Sequence, residues 1–148
     1  INNDSFELIQ NVIEEVYDSE KMGKMIIGKN WEEINTSERE KFLLVFERFI
    51  VVNYLRRFSK INQLDFDHQK IQMIGNKFRL AKFLLKADNE IIQLDYLLHH
   101  KNKRWKIIDV IIEGSISEVV TKKADFNKII NEKGVLGLIS NLELRNSF

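Results

Sequence analysis

Arg104-Trp105-Lys106-Ile107-Ile108-Asp109-Val110-Ile111-Ile112-Glu113-Gly114 reads as a β-strand that is greasy on both faces. Ile107, Ile108, Val110, Ile111 and Ile112 do not alternate with polar residues, and a strand of that kind is usually covered on both sides. Lys101-Asn102-Lys103 precedes it, and before that lies Glu90 to His99. There Ile92, Leu94, Tyr96 and Leu98 alternate with Gln93, Asp95 and His99, so the pair reads as a hairpin. Further back, Phe78 to Lys86 follows the turn-prone Gly75-Asn76, and Ile71 and Met73 alternate with polar residues from about Phe66. Together these predict about four antiparallel strands.

Both flanks of the strand run read as helix. Ser37-Glu38-Arg39-Glu40 has the form of a capping box and opens a helix from about Ser37 to Phe58. Phe42, Val45, Phe46, Phe49, Ile50 and Tyr54 share one side of it, while Leu43, Leu44, Val51 and Leu55 fall outside that stripe. Ser5 is positioned to cap an earlier helix through Phe6, Ile9, Val12, Ile13 and Val16. Gly23 and Gly28 bracket a short connector ending at Trp31. After Gly114, Ser115 or Ser117 caps a helix to about Lys133. Gly134 stops it, and Val135 to Leu144 closes the chain with a short amphipathic piece. Helices, then strands, then helices argue an α+β domain with helices packed on a sheet.

At 148 residues the chain is expected to be one domain, residues 1–148. Hydrophobic residues at 44% and charged residues at 30%, with a net charge of +1, are ordinary for a globular protein. That balance gives no whole-molecule case for nucleic acid. The Lys101–Arg104 cluster reads as a solvated hairpin tip. Cysteine is absent, which excludes disulfides and thiolate metal sites. His99 and His100 are adjacent on a strand and point to opposite faces, so no metal is expected on them. No apolar run reaches the roughly 18 residues of a membrane span. The sequence starts at Ile1 rather than Met, and a signal peptide is expected to have been removed.

Apolar residues exceed what a single covered face needs. One reading is a filled core around a doubly covered strand. The other is a sheet and long helix splayed around an apolar cavity, which costs on the order of 24 cal/mol per Å³ unless something fills it. Periodicity does not separate the two.

The segment Arg104 to Gly114 resembles the W-K-[IV]-x-D-V-x-[IV]-[ED]-G signature of the MlaC (toluene-tolerance) family. Its continuation, Ser115-Ile116-Ser117 through Lys123 to Phe126, is similar to that family's G-[ST]-[IV]-S-x-x-x-x-x-R-x-x-F pattern. The spacing is nearer the hopanoid-associated, HpnM-like branch. Trp31-Glu32-Glu33-Ile34-Asn35-Thr36 with Arg39 and Phe42 resembles the family's approach to its long helix, and Asn53 to Phe58 resembles the end of that helix. Leu94-Asp95-Tyr96 is similar to its third strand, and Gly134 to Ile139 to its closing stretch. Lys123 stands where the family usually has Arg, which keeps the charge and loses the planar five-donor fork.

The resemblance implies a curved antiparallel sheet wrapped by helices, cone-like and related to the nuclear-transport-factor fold, with acyl chains in the cavity. It implies a periplasmic phospholipid carrier working between an outer-membrane lipoprotein complex and an inner-membrane ABC transporter. No catalysis is implied, and no cofactor beyond the bound phospholipid. Hiding one sixteen-carbon chain from water is worth on the order of 12 kcal/mol at about 0.8 kcal/mol per CH2. Candidate lining residues are Phe46, Phe49, Ile50 and Tyr54 from the helix, with Leu80, Leu84, Leu94, Tyr96, Leu98, Ile108 and Val110 from the sheet. Arg56, Arg57 and Lys123 are candidates for headgroup or partner contact, since Arg and Lys suit phosphate. A monomer is expected.

Two other classes stay open. If the hairpin pairs around Asn102, Asp95 and Asp109 face each other, and such a carboxylate pair suits acid–base catalysis in a cone-fold enzyme. An accessory protein of an ABC system that holds no lipid requires only a filled core.

Overall fold

The computed structural model describes residues 3–147 and is α+β, as expected. Helix α1 (Asn3–Val16) starts two residues before Ser5, which therefore lies in its first turn. Helix α2 (Ser19–Ile27) replaces the expected connector. Asp18 caps it, accepting the Lys21 N–H at 3.0 Å. Gly23 is buried inside this helix, where a Cβ would stand 2.9 Å from Leu43 Cδ2 and 3.1 Å from Phe42 Cε1. The glycine is therefore a close-packing residue rather than a helix breaker.

A 3-10 turn (Gly28–Glu33) leads to helix α3 (Thr36–Phe58). Its capping box is built two residues earlier than Ser37 suggests. Asn35 Oδ1 accepts the Glu38 N–H at 2.8 Å, and Glu38 Oε1 accepts the Asn35 N–H at 3.4 Å. Arg39 donates through Nε and Nη2 to the Trp31 carbonyl at 3.0 and 2.7 Å, with its guanidinium over the indole. The Trp31 to Arg39 spacing thus fixes how the chain enters α3.

Five strands follow where four were expected: β1 (Leu64–Ile74), β2 (Phe78–Ala87), β3 (Glu90–Lys101), β4 (Arg104–Ile112) and the two-residue β5 (Ile116–Ser117). They form an open antiparallel meander in the order β1-β2-β3-β4-β5. The β3–β4 turn is Asn102-Lys103, with φ of 51° and 67°, the left-handed pair that a type I′ hairpin requires. Bulges at His68/Lys70 and Leu97/Leu98 bend the sheet. The second bulge sets Asp109 opposite Leu97 and Asp95 opposite Ile111, so the two carboxylates do not face each other.

Ser117 caps helix α4 (Glu118–Arg145), accepting the Val120 N–H at 3.1 Å. Asp109 reaches the same helix start, taking the Ser117 hydroxyl and, at 3.0 Å, the Val119 N–H. The Asp and Ser of the strand signature are therefore two halves of one helix cap. Gly134, at φ 73° and ψ −179°, breaks α4 where a stop was expected, and a second helical stretch continues to Arg145.

The core lies between the helices. Phe42, Phe46 and Phe49 of α3 pack against Phe126, Leu138 and Leu142 of α4 and Ile26 and Ile27 of α2, with Ile108 reaching in from β4. Phe126 meets Phe46 and Phe49 edge-on at 6.4 and 5.7 Å between centroids.

Candidate functional site

The C-terminal half of α3 does not close onto the sheet. Ile50, Asn53, Tyr54, Arg57 and Phe58 stand over Leu94, Tyr96 and Val110, and the space between is a cavity of about 530 Å³. Tyr17, Glu118 and Lys122 complete its wall. The register explains the floor. Tyr96 pairs with Val110 on one side and Ala81 on the other, and Leu94 with Ile112 and Phe83, so these side chains share one face.

That face continues toward the β2–β3 turn as a second pocket of about 500 Å³. It is lined by Ile61, Leu85 and Ile92 among others, and it shares Arg57 and Phe58 with the first. The two form one trough under the end of α3, divided by the Arg57-Phe58 step. Each falls within the roughly 300–1,000 Å³ typical of small-molecule sites.

Burial pushes the Tyr96 phenol up to about 12, with the neighbouring Tyr54 adding to it. Burial also raises Tyr54, and it raises Tyr17 further with help from Tyr96 and Tyr54. All three stay neutral phenols across the physiological range. Charged residues line the cavity as well: the partly buried Lys122 Nζ and Glu118 Oε2 pair at 2.9 Å, and Arg57 is exposed at its rim. Arg56 also lines the rim, but its guanidinium donates to the Arg145 carbonyl at 2.6 Å and to the Ser147 carbonyl. It ties α3 to the chain's C-terminal end.

Of the residues singled out from sequence, the structure brings Ile50, Tyr54, Leu94, Tyr96, Val110, Arg56 and Arg57 to this cavity. Phe46, Phe49 and Ile108 are buried in the helix core instead. Leu80 pairs with Leu97 and Leu84 with Gln93, which puts both on the opposite face from Leu94 and Tyr96. Leu98 pairs with Arg79, toward the hairpin tip. Lys123 packs against Gly28, its Cε 3.2 Å from where a Cβ would stand, and Lys122 takes the rim position. Sequence reading missed Tyr17, Asn53, Phe58, Glu118 and Lys122. Asn53 and Phe58 carry a signal, both lying in the stretch that resembles the end of the family's long helix.

The remaining chemistry-bearing residues are engaged elsewhere. Asp95 is 3% exposed, within 3.2 Å of the Gln93 amide. His99 Nε2 sits 2.8 Å from Asp18 Oδ2. Among the described residues no group of three or more His, Cys, Asp or Glu is placed to hold a metal ion, and no helix is long and apolar enough to cross a membrane.

Comparison with known proteins agrees with this geometry. The family model described as MlaC protein matches residues 2–144. A similar solved structure is the phospholipid-binding protein from Ralstonia solanacearum in complex with a phospholipid. The likeness has a TM-score of 0.82 at 17% sequence identity and covers 95% of this chain and 82% of that one. No curated protein matches the chain.

Proposed function

The chain belongs to the MlaC family, and from that premise we propose that it is a phospholipid carrier whose cargo tails occupy the trough under α3. One observation carries the reading. Ile50, Tyr54 and Phe58 of α3 and Leu94, Tyr96 and Val110 of the sheet line an open cleft of about 530 Å³ that they do not fill. Apolar surface left facing water in such a cleft gains stability when hydrocarbon covers it. Ile50, Leu94 and Val110 suit acyl chains, and the neutral Tyr54 and Tyr96 add apolar rings without charge. Arg57 and Lys122 at the rim suit a headgroup phosphate left near solvent. The Ralstonia solanacearum protein, alike in fold, is itself a phospholipid complex.

Loading and release then require no acid, base or nucleophile, since cargo is exchanged and not transformed. The carboxylate pair on which an enzyme would rest is not assembled: Asp109 caps α4 and Asp95 lies opposite Ile111. On this reading the chain works as a monomer in the periplasm. It passes lipid between an outer-membrane lipoprotein complex and an inner-membrane ABC transporter, and residues 1–148 act as one lipid-binding domain.

The test is mass spectrometry of an organic extract of the natively purified protein, followed by reloading of delipidated protein from phospholipid vesicles. Close to one phospholipid per chain is expected in both. A lipid-free extract together with failed reloading would remove the carrier reading in favour of an accessory protein without cargo.

A further inference from the structure

The near-neutral net charge hides a segregation along the strands. Residues 68–82 carry four Lys or Arg and no Asp or Glu, and residues 96–108 carry four and none. The register stacks these stretches at one end of the sheet. Phe78 pairs with His99, so the β1–β2 turn (75–77) and the β3–β4 turn (102–103) project side by side. The turns at the opposite end carry Asp88, Glu90 and Glu113. Charge segregated in this way orients a molecule in the field of a charged partner.

Between the two basic tips lies a concavity of about 730 Å³, lined by Lys21, Lys77, Arg79, His100, Phe78 and Trp105 among others, with no carboxylate on it. Arg79 stacks on the Trp105 indole at 4.3 Å, and its buried Nε finds no acceptor among the described residues. Large apolar side chains stand beside these cations. Met73, paired with Arg79, is 63% exposed, and Ile74, paired with Phe78, is 41% exposed. Lys101 and Arg104 are paired with Asp18 and Glu15, but exposed hydrocarbon beside the cations Lys77, Arg79 and Lys103 suits a surface that is anionic outside and apolar beneath. A polyanion with no apolar layer would leave Met73 and Ile74 in water.

We propose that this end of the sheet is a docking surface for an anionic phospholipid bilayer. Headgroup phosphates accept from Lys77, Arg79 and Lys103, while Met73, Ile74 and Phe78 enter the interfacial layer. This goes beyond the cargo site: it says where the protein meets a membrane, and it stands on residues that do not line the trough.

The experiment is co-sedimentation of the full chain with vesicles of phosphatidylcholine alone or with one third phosphatidylglycerol. Binding is expected only with phosphatidylglycerol, and it should be lost at high salt. The double variant Lys77→Glu, Lys103→Asn should weaken binding roughly tenfold or more, given the known contribution of each basic residue at an anionic surface. Both positions are exposed turn residues, and Asn tolerates the positive φ of Lys103. A second variant, Met73→Gln, should weaken binding without changing charge. Equal binding to neutral vesicles, no binding to either, or full binding by the double variant overturns the proposal. So does a dimer formed through the open edge of β1 that the same substitutions abolish. Lipid reloading is measured on the same samples: a chain that docks but takes up no lipid supports the docking surface and sinks the cargo reading, and the reverse result does the opposite.

Discussion

Asp18 joins a helix start to a sheet edge. Its N–H donates to the Ile107 carbonyl at 2.9 Å, extending pairing beyond β4, while its carboxylate takes the Lys21 N–H, His99 and, at 3.4 Å, Lys101. Burial favours the neutral acid, but the Lys21 N–H, His99 and Lys101 together outweigh it and hold the pKa below the usual 3.8. A carboxylate with a depressed folded pKa contributes stability that is present above its unfolded pKa and is lost as pH falls through the folded one. Urea midpoints measured from pH 7 down to pH 3 should therefore fall from about pH 4 downward. The Asp18→Asn variant should be less stable at pH 7 and lose less on acidification; parallel curves for the two proteins would refute the assignment. Asp109 makes a comparable link. Asp109→Ala removes the partner of Ser117 and the Val119 N–H and should cost about 2 kcal/mol in chemical denaturation. The resemblance marked Asp109 as part of a signature. Its role was not legible because the Leu97/Leu98 bulge, invisible in composition, decides what the carboxylate faces.

Element by element, the sequence yielded most where periodicity was long. α3 and β4 have nearly the bounds that their spacing predicts, since twenty or so residues of period 3.6 or a run of isoleucines leave few alternatives. It failed where elements were short or signals competed. β5 is two residues long and carries no pattern of its own. At the start of α3, Asn35-Thr36-Ser37-Glu38-Arg39-Glu40 offers two overlapping capping boxes, and Arg39's bond to the Trp31 carbonyl favours the earlier one. The sequence around α2 suggests a connector because a glycine ordinarily punctuates a chain, whereas Gly23 serves to let α2 approach α3. Gly23→Val should overpack that contact and cost about 1–3 kcal/mol. Gly23→Ala sets a gain in helix propensity against contacts with the movable end of Leu43 and the edge of the Phe42 ring, and should cost less than valine. Thermal unfolding of the pair separates packing from propensity: equal losses would show that the close approach is not limiting.

At the scale of the whole molecule, the open question in the sequence was whether the apolar surplus fills a core or lines a void, and both occur. Phe46 and Phe49, which share the α3 stripe with Ile50 and Tyr54, are consumed by packing against Phe126, while Ile50 and Tyr54 face the trough. One helix therefore serves the core with its N-terminal and middle turns and the cavity with its last ones. Its hydrophobic residues look alike in sequence because water is excluded from both places for the same reason. What differs is whether the opposing surface arrives, and that depends on the curvature of a sheet whose bulges no hydrophobic pattern encodes. A cavity that holds lipid must also stabilise the fold when loaded, by an amount that grows with the logarithm of free ligand over its dissociation constant. Phospholipid should then raise the thermal midpoint of delipidated protein. Val110→Trp, which pushes an indole from the floor toward Tyr54, should leave the lipid-free midpoint within a few degrees while abolishing most of that rise and most of the co-purifying lipid. A substitution inside a filled core behaves otherwise: it lowers the lipid-free midpoint steeply and leaves nothing for lipid to restore. The sign and size of the two shifts together therefore report whether the space under α3 is a binding site or merely loose packing.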